Sequence, residues 1–373
     1  VSDLEAYIAS FDTEPGYLDW AAFGPLSARV RAEMHADAEL LATGRRSGID
    51  LVSGHVGVAR ELLAELLDAP TDQVVLQPST SYGLMQALYG LRGRVLLSRA
   101  EFPSLTVTAT RAASLRDDLR VQWMDPDGGF VTADAVRSAL TDEVTAVAVS
   151  LVDFRTGFLA DLSALREAIG DRMLIVDAIQ GFGVVDADYA AADVVCGNGY
   201  KWLRAARGTG WARFSERART RIEPVLSGFA GTTVDLPVDE VPAAASTAQA
   251  FTVTGSDILA AGRLATGLEE VRDAGVAGIA DAVADRADEI IAAADEYGIA
   301  VVTPHDRARR AGIVALAPEP TEAAGLSAAL ANSGLTFTAR SGLIRLAPHA
   351  GTDASTLQLL RDALGVFVTE RSR

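Results

Sequence analysis

Two segments hold the residues best suited to chemistry. An apolar run, Met173 to Val176, ends in Asp177, within Ile175-Val176-Asp177-Ala178-Ile179-Gln180-Gly181. A second run, Val194 to Cys196, leads into a glycine-flanked loop, Gly197-Asn198-Gly199-Tyr200-Lys201-Trp202. Read as two buried parallel strands, both runs deliver polar residues to the carboxyl edge of one sheet, where open α/β folds bind ligands. An amine there can form a Schiff base, and a carboxylate facing it can keep a ring nitrogen protonated so that the ring draws electrons. Those are the two groups that pyridoxal phosphate needs. Singly, neither residue says as much: Lys201 between two aromatics reads as a snorkelling surface side chain, and Asp177 as a cap at a strand end. Their joint placement makes the case.

The elements that must position this pair follow from hydrophobic patterning. From about residue 60 to 215, helical periodicity alternates with short apolar runs, the pattern of βαβ units and a mostly parallel sheet. Strands are expected at Val74–Gln77, Arg94–Ser98, Val121–Met124, Val144–Val152, Met173–Asp177, Asp193–Cys196 and Gly210–Phe214. Helices are expected near Ser81–Leu91, Ser104–Leu115, Thr132–Leu140 and Asp161–Ile169, with Thr132 and Asp161 as N-caps. Residues 227–257, with Gly228, Gly231, paired threonines, Pro237 and Pro242, read as an irregular excursion with a functional or interface role. Beyond it, helix from Asp257 to about Tyr297 precedes strands at Ile299–Val302 and Ile313–Leu316, a helix over Thr321–Ser333, strands at Leu335–Arg340 and Leu343–Leu346, and a terminal helix. A chain of 373 residues exceeds what one core usually supports. The expected division is an N-terminal arm (1–25), a large α/β domain (26–257) and a smaller α+β domain (258–373).

Composition narrows the partners. A formal charge of −17 speaks against nucleic acid or an anionic membrane surface, which need clustered positive charge, but not against a small anion held by a local arginine. With one cysteine, Cys196, no internal disulfide can form, and a reducing compartment fits. Val1-Ser2-Asp3-Leu4-Glu5 lacks the features of a signal peptide, and no run approaches a membrane span. A cytoplasmic protein is expected.

Other motifs add to the pair or fail. Gln77-Pro78-Ser79-Thr80-Ser81-Tyr82-Gly83 lies between a strand and a helix start, where backbone N–H groups, hydroxyls and the helix dipole make a phosphate cradle or, more plainly, an N-cap. Arg345 falls within an apolar strand, so it needs a carboxylate, either a substrate's or one from within the chain. His35, His55, His305 and His349 show no metal spacing, and no metal is expected. Gly208-Thr209-Gly210 is no dinucleotide fingerprint, and there is no nucleophile elbow.

The stretch from Ser150 to Phe214, with Val176-Asp177-Ala178-Ile179-Gln180 and the Lys201 loop, resembles the class V aminotransferase family of fold type I pyridoxal phosphate enzymes. That family includes cysteine desulfurases, kynureninase and isopenicillin N epimerase-like proteins. The similarity runs from Tyr17-Leu18-Asp19-Trp20-Ala21-Ala22 to Arg345-Leu346-Ala347-Pro348-His349. It implies that Lys201 is the Schiff-base lysine, Asp177 the partner of the ring nitrogen, and Gln180 a donor to the ring's phenolate oxygen. It places Ser79, Thr80, Ser81 and Asn198 on the phosphate and stacks Phe102 on the ring, where desulfurases carry a histidine; phenylalanine cannot move a proton. Asp153 stands where many relatives have an asparagine, and could bind substrate or cofactor, pair with Arg155 or cap its loop. Arg345, and more weakly Arg340, would clamp the substrate carboxylate. Gly231-Thr232 and Thr254-Gly255-Ser256, with Thr254 and Ser256 as the side chains, are the candidates to reach a partner subunit's phosphate in a homodimer with shared active sites.

The implied activity is aminotransferase-like chemistry on a small amino acid, with a C–S (β-)lyase or epimerase as the alternative. A non-catalytic protein that kept the fold is a third reading, disfavoured by Lys201, Asp177, Gln180 and Arg345 standing together. Persulfide-forming desulfurase chemistry is also disfavoured, because no cysteine occurs between Ala311 and Ile344.

Overall fold

Stretches rich in valine, isoleucine and leucine become strands wherever both faces are covered, and such runs seed a sheet of seven strands within the first 214 residues. In the computed structural model, which describes residues 3–233 and 239–371, they are β1 (Val74–Gln77), β2 (Gly93–Ser98), β3 (Leu119–Met124), β4 (Val144–Ser150), β5 (Met173–Asp177), β6 (Val194–Asn198) and β7 (Gly210–Phe214). They form one sheet in the order β1-β7-β6-β5-β4-β2-β3. β7 runs antiparallel to both its neighbours, and the other pairings are parallel. A second sheet joins β8 (Val314–Leu316), β9 (Thr338–Arg340) and β10 (Leu343–Leu346), all antiparallel, with β10 central.

The helices are α1 (Asp3–Ala9), α2 (Ala28–Ala42), α3 (Arg46–Leu66), α4 (Thr80–Gly90), α5 (Pro103–Leu115), α6 (Ala133–Ala139), α7 (Leu162–Ile169), α8 (Glu216–Arg221), α9 (Ile258–Ala274), α10 (Val276–Glu296), α11 (Ala323–Asn332) and α12 (Ala354–Arg371). Thr132 and Asp161 cap α6 and α7 as expected, accepting from Ala135 N at 3.1 Å and Ala164 N at 2.9 Å. Each face of the large sheet is covered. Leu84, Leu88, Leu105 and Ala109 of α4 and α5 pack on one side, and Leu62, Leu63, Leu264 and Leu268 of α3 and α9 contribute to the core of the other. β5 and β6 are buried along their whole length, which explains why they read as unbroken apolar runs.

Some expectations shift. β4 stops at Ser150; Leu151 N still donates to Asp177 O at 2.9 Å, and Val152 bridges to Leu159. Ile299–Val302 is not a strand: only Val301 makes a bridge, to Leu316. The run expected at Leu335–Arg340 keeps only its last three residues as β9. Pro237 of the excursion lies outside the described residues. Among the described residues, no helix is long and apolar enough to cross a membrane.

Candidate active site

Parallel register brings the two sequence segments together. Asp177 ends β5 opposite Cys196 of β6 on one side and Ser150 of β4 on the other. Lys201 follows β6 in a turn tied down by its own backbone: Gly199 N donates to Thr209 O at 3.0 Å, Ala205 N to Gly199 O at 2.9 Å, and Arg204 N to Lys201 O at 3.1 Å. The turn also leans on the N-terminal segment, where Gly24 N donates to Tyr200 O at 2.9 Å. A side chain at position 24 would place its Cβ 1.8 Å from Lys201 O, so only glycine fits.

Lys201 and Asp177 are both buried. Burial pulls the Lys201 amine well below its usual range; Asp177 opposes this, while Arg345 and Arg207 pull the same way. Burial pushes the Asp177 carboxyl up, against the Ile179 N–H that Oδ1 accepts at 3.0 Å and against the lysine's charge. The two feel each other without forming an ion pair, and Lys201 Nζ makes no side-chain hydrogen bond among the described residues. A buried amine left uncommitted in this way is available to react.

The cradle lies at the start of α4. Ser79 is the N-cap, its Oγ accepting from Tyr82 N at 3.4 Å. Thr80 is buried and its Oγ1 has no hydrogen-bond partner among the described residues. Ser81 Oγ is 2.7 Å from Ser104 Oγ at the head of α5. Gly210 lets β7 pass close behind: a Cβ there would lie 2.5 Å from Ser79 N. Phe102 caps α5 and meets Phe154 edge-on, with ring centroids 5.1 Å apart. Asn198 turns its Oδ1 to Tyr200 N at 3.2 Å and Thr209 Oγ1 at 3.0 Å, so its acceptor serves the lysine turn.

Several expected roles are redistributed. Gln180 is buried, with Nε2 donating to Ala21 O at 3.0 Å and Oε1 accepting from Trp202 Nε1 at 3.1 Å; one amide hydrogen remains for a ligand. Asp153 is committed to its own loop: Oδ1 accepts from Arg155 N and Thr156 N at 2.9 and 2.8 Å, and Oδ2 from Arg155 Nη2 at 2.9 Å. Of the readings open for Asp153, the structure realises the Arg155 pair and the loop cap. The carboxylate that Arg345 demands is Asp19, whose Oδ1 lies 3.4 Å from Nη2, while Nη1 donates to Phe154 O at 2.9 Å. Arg345 Nε is buried without a hydrogen-bond partner among the described residues, leaving one donor. Arg340 is exposed on β9, near enough for its charge to act on Arg345. Thr254 and Ser256 line a cavity of about 340 Å³ with Gln77, Tyr82 and Gly210, on a side of the α4 start that includes neither Lys201 nor Asp177.

Patterning alone did not single out Asp19 or Glu101. Asp19 was signalled only by the requirement that Arg345 find a carboxylate. Glu101, buried beside Ser150, gave no signal, because its burial depends on how β2 and β4 end. The histidine-spacing argument also could not foresee that His55 Nε2 would lie 3.1 Å from Asp37 and 3.2 Å from Glu33, a tie between α2 and α3.

These residues suit pyridoxal phosphate on observations of the chain itself. An orphaned buried hydroxyl and free N–H groups at a helix start suit a phosphate, an uncommitted buried amine suits an aldehyde, and a buried carboxylate suits a protonated ring nitrogen.

Known proteins agree with that fit. The family model described as "Aminotransferase class-V" matches residues 17–370. The kynureninase of Deinococcus radiodurans is 30% identical over 328 residues, covering 81% of this chain and 78% of that protein. Among solved structures, the cysteine desulfurase of Thermococcus onnurineus NA1 superposes with a TM-score of 0.85 at 19% identity, over 95% of both chains. C-DES, described as a cystine C-S lyase and solved with its reaction product cysteine persulfide, gives 0.85 at 17% identity, over 94% of this chain and 97% of that one. Another C-DES structure holds glycine covalently linked to the PLP cofactor. The likeness fixes the fold as type I.

Proposed function

The chain belongs to the class V aminotransferase family of pyridoxal phosphate enzymes, and from that premise we propose that it is a lyase-type enzyme that breaks a bond at the β-carbon of an amino acid. The observation that carries the reading is Lys201: a buried amine of lowered basicity, without a hydrogen-bond or ion-pair partner among the described residues, facing Asp177 at the carboxyl edge of the sheet. The kynureninase and C-S lyase relatives support this alternative over the aminotransferase-like reading. Cys196 gives no support to persulfide chemistry, being wholly buried with its thiol pushed up by burial.

Pyridoxal phosphate, when bound, supplies an electron sink for negative charge at the substrate's α-carbon. Lys201 would hold the cofactor and, once free, take the α-proton on Nζ; burial favours the neutral amine that this needs. Asp177 would keep the proton on the ring nitrogen. Ser79, Thr80 and Ser81, with the α4 N-terminus, would hold the phosphate, and Phe102 would cover the ring. Arg345 Nε, unpartnered at present, would turn to the substrate carboxylate while Asp19 keeps the guanidinium in place.

The test is incubation of cofactor-loaded protein with single amino acids and thioether conjugates. A β-lyase releases ammonia and pyruvate from cysteine-type substrates with no 2-oxo acid added. Dependence on a 2-oxo acid acceptor, without ammonia, would restore the aminotransferase reading.

We further propose a homodimer in which Thr254 and Ser256 complete the partner's phosphate site. The cavity they line lies beside the α4 start, and Tyr82 and Val253 expose apolar surface nearby. Light scattering that reports a fully active monomer excludes it.

A further inference from the structure

Glu101 closes the loop after β2, one residue before Phe102, and is 8% exposed. Both hydrogen bonds to its carboxylate come from Ser150 and go to one oxygen: Oε2 accepts from Ser150 N at 3.1 Å and from Ser150 Oγ at 2.5 Å. No donor reaches Oε1 among the described residues. Ser150 is the register partner of Asp177. Ser150 and Asp177 therefore end β4 and β5, while Glu101 lies just past the end of β2 and Lys201 just past the end of β6, and these four strands are successive in the sheet.

The charges around Glu101 are mostly its own sign. Asp177 faces it from β5, and Asp153 from the loop after β4. The nearby cations are turned to other carboxylates: Arg155 is paired with Asp153, and Lys201 acts on Asp177. Burial first, then Asp153 and Asp177, push the Glu101 carboxyl up, with only Ser150 opposing, so it lies at about 7 rather than in the ordinary carboxylate range. A carboxylic acid kept neutral by its surroundings is a proton donor. Phe102, beside it, cannot carry a proton.

We propose that Glu101 is a further acid–base residue of this crevice, holding a proton on Oε1 and giving it to the group that leaves the substrate's β-carbon. The inference rests on the β-lyase reading. In the step, the bond from Cβ to its substituent breaks and the substituent leaves with that electron pair, taking the Oε1 proton. The pair left at Cα when Lys201 removes the α-proton forms the Cα–Cβ double bond. Glu101 remains as a carboxylate, stabilised by the two Ser150 donors, and regains its proton from water. No oxidant or reductant is needed.

Two measurements test it. In cofactor-free protein, infrared difference spectra between wild type and Glu101→Gln should show a protonated carboxylic acid that titrates near neutral pH. Ser150→Ala, which removes an opposing hydrogen bond but keeps the carboxyl, should raise that midpoint; Asp177→Asn, which removes a like charge, should lower it. If Glu101→Gln does not fold, these two shifts still identify the group. A midpoint in the ordinary glutamate range, about 4 to 5, overturns the proposal. In loaded enzyme, Glu101→Gln should keep the borohydride-fixed adduct on Lys201 and α-proton exchange. It should lose tenfold or more with an alkyl thiol leaving group, and little with chloride. Equal losses for both leaving groups would mark a structural residue and contradict the assignment. A wild-type protein that forms no adduct on Lys201 fails the proposed function instead, which keeps the two failures distinguishable.

Discussion

Strand β6 carries a buried charge at each end, and the protein treats the two in opposite ways. Asp193, just before the strand, is saturated: Arg166 Nη2 and Arg217 Nη2 each donate to Oδ2 at 2.6 Å, Arg217 Nε donates to Oδ1 at 2.7 Å, and Leu174 N donates to Oδ2 at 2.8 Å. Burial alone would raise its pKa, but these donors more than offset that and hold the carboxyl below its usual range. Lys201, just after the strand, has no such partners among the described residues, and Thr80 Oγ1 and Arg345 Nε, expected in the same site, are buried donors without acceptors there. One edge of the sheet spends its polar groups on holding the fold. The other leaves them unspent, and unspent buried donors are what a ligand can satisfy.

Substitutions at the two ends should therefore separate stability from activity. Lys201→Ala should lower turnover by on the order of 10³ or more while leaving the melting temperature unchanged or slightly raised, since no hydrogen bond is lost. Kinetics and thermal melts on one preparation check both halves. Asp193→Ala should do the reverse, costing about 3 kcal/mol, the low end for a broken buried pair because both arginines keep some water. Its pH dependence has a definite sign. With a folded pKa below the unfolded one, Asp193 stabilises the protein above the unfolded value, and that contribution is lost as pH falls through the folded value. Denaturant titrations at neutral and acid pH should show the wild type losing more stability on acidification than Asp193→Ala does.

Much of this contrast was legible in the chain, though unevenly. Asp177 and Lys201 could be found because fully buried strands read as apolar runs, and the residues that end them stand out. The N-caps Thr132 and Asp161 are local features and were equally readable. Asp19, Glu101 and Asp193 were not, because their roles depend on which strand ends lie side by side, and no single segment records that. Asp153 shows the same limit: its sequence position suggested several partners, and only the tight turn to Thr156 settles which donors reach it. Ile299–Val302 fell short of a strand although β8 runs alongside: Val302 N donates to Ala315 O and Ala317 N to Ala300 O, yet only Val301 completes a bridge, and apolar composition does not record how far pairing extends.

Smaller effects sharpen the comparison. Asp177→Asn should keep the cofactor but slow α-proton exchange, because loss of one charge-assisted hydrogen bond is worth roughly 1.5–3 kcal/mol, or about one to two orders of magnitude in rate. Exchange of deuterium into the α-position measures it, and an unchanged rate removes Asp177 from its role. Thr80→Val should leave stability unaffected or improved, since its hydroxyl has no partner among the described residues, yet weaken cofactor retention by up to about tenfold. Equilibrium dialysis against pyridoxal phosphate reads that change.

The central claim is that the lysine left uncommitted at the end of β6 is the one that binds the cofactor covalently. Incubation with pyridoxal phosphate, reduction with borohydride and peptide mass spectrometry test it directly. The account predicts a visible absorption band that reduction abolishes, with the pyridoxyl mass on Lys201 alone. A colourless protein after reconstitution, or a label spread over other amines with Lys201 unmodified, would contradict it.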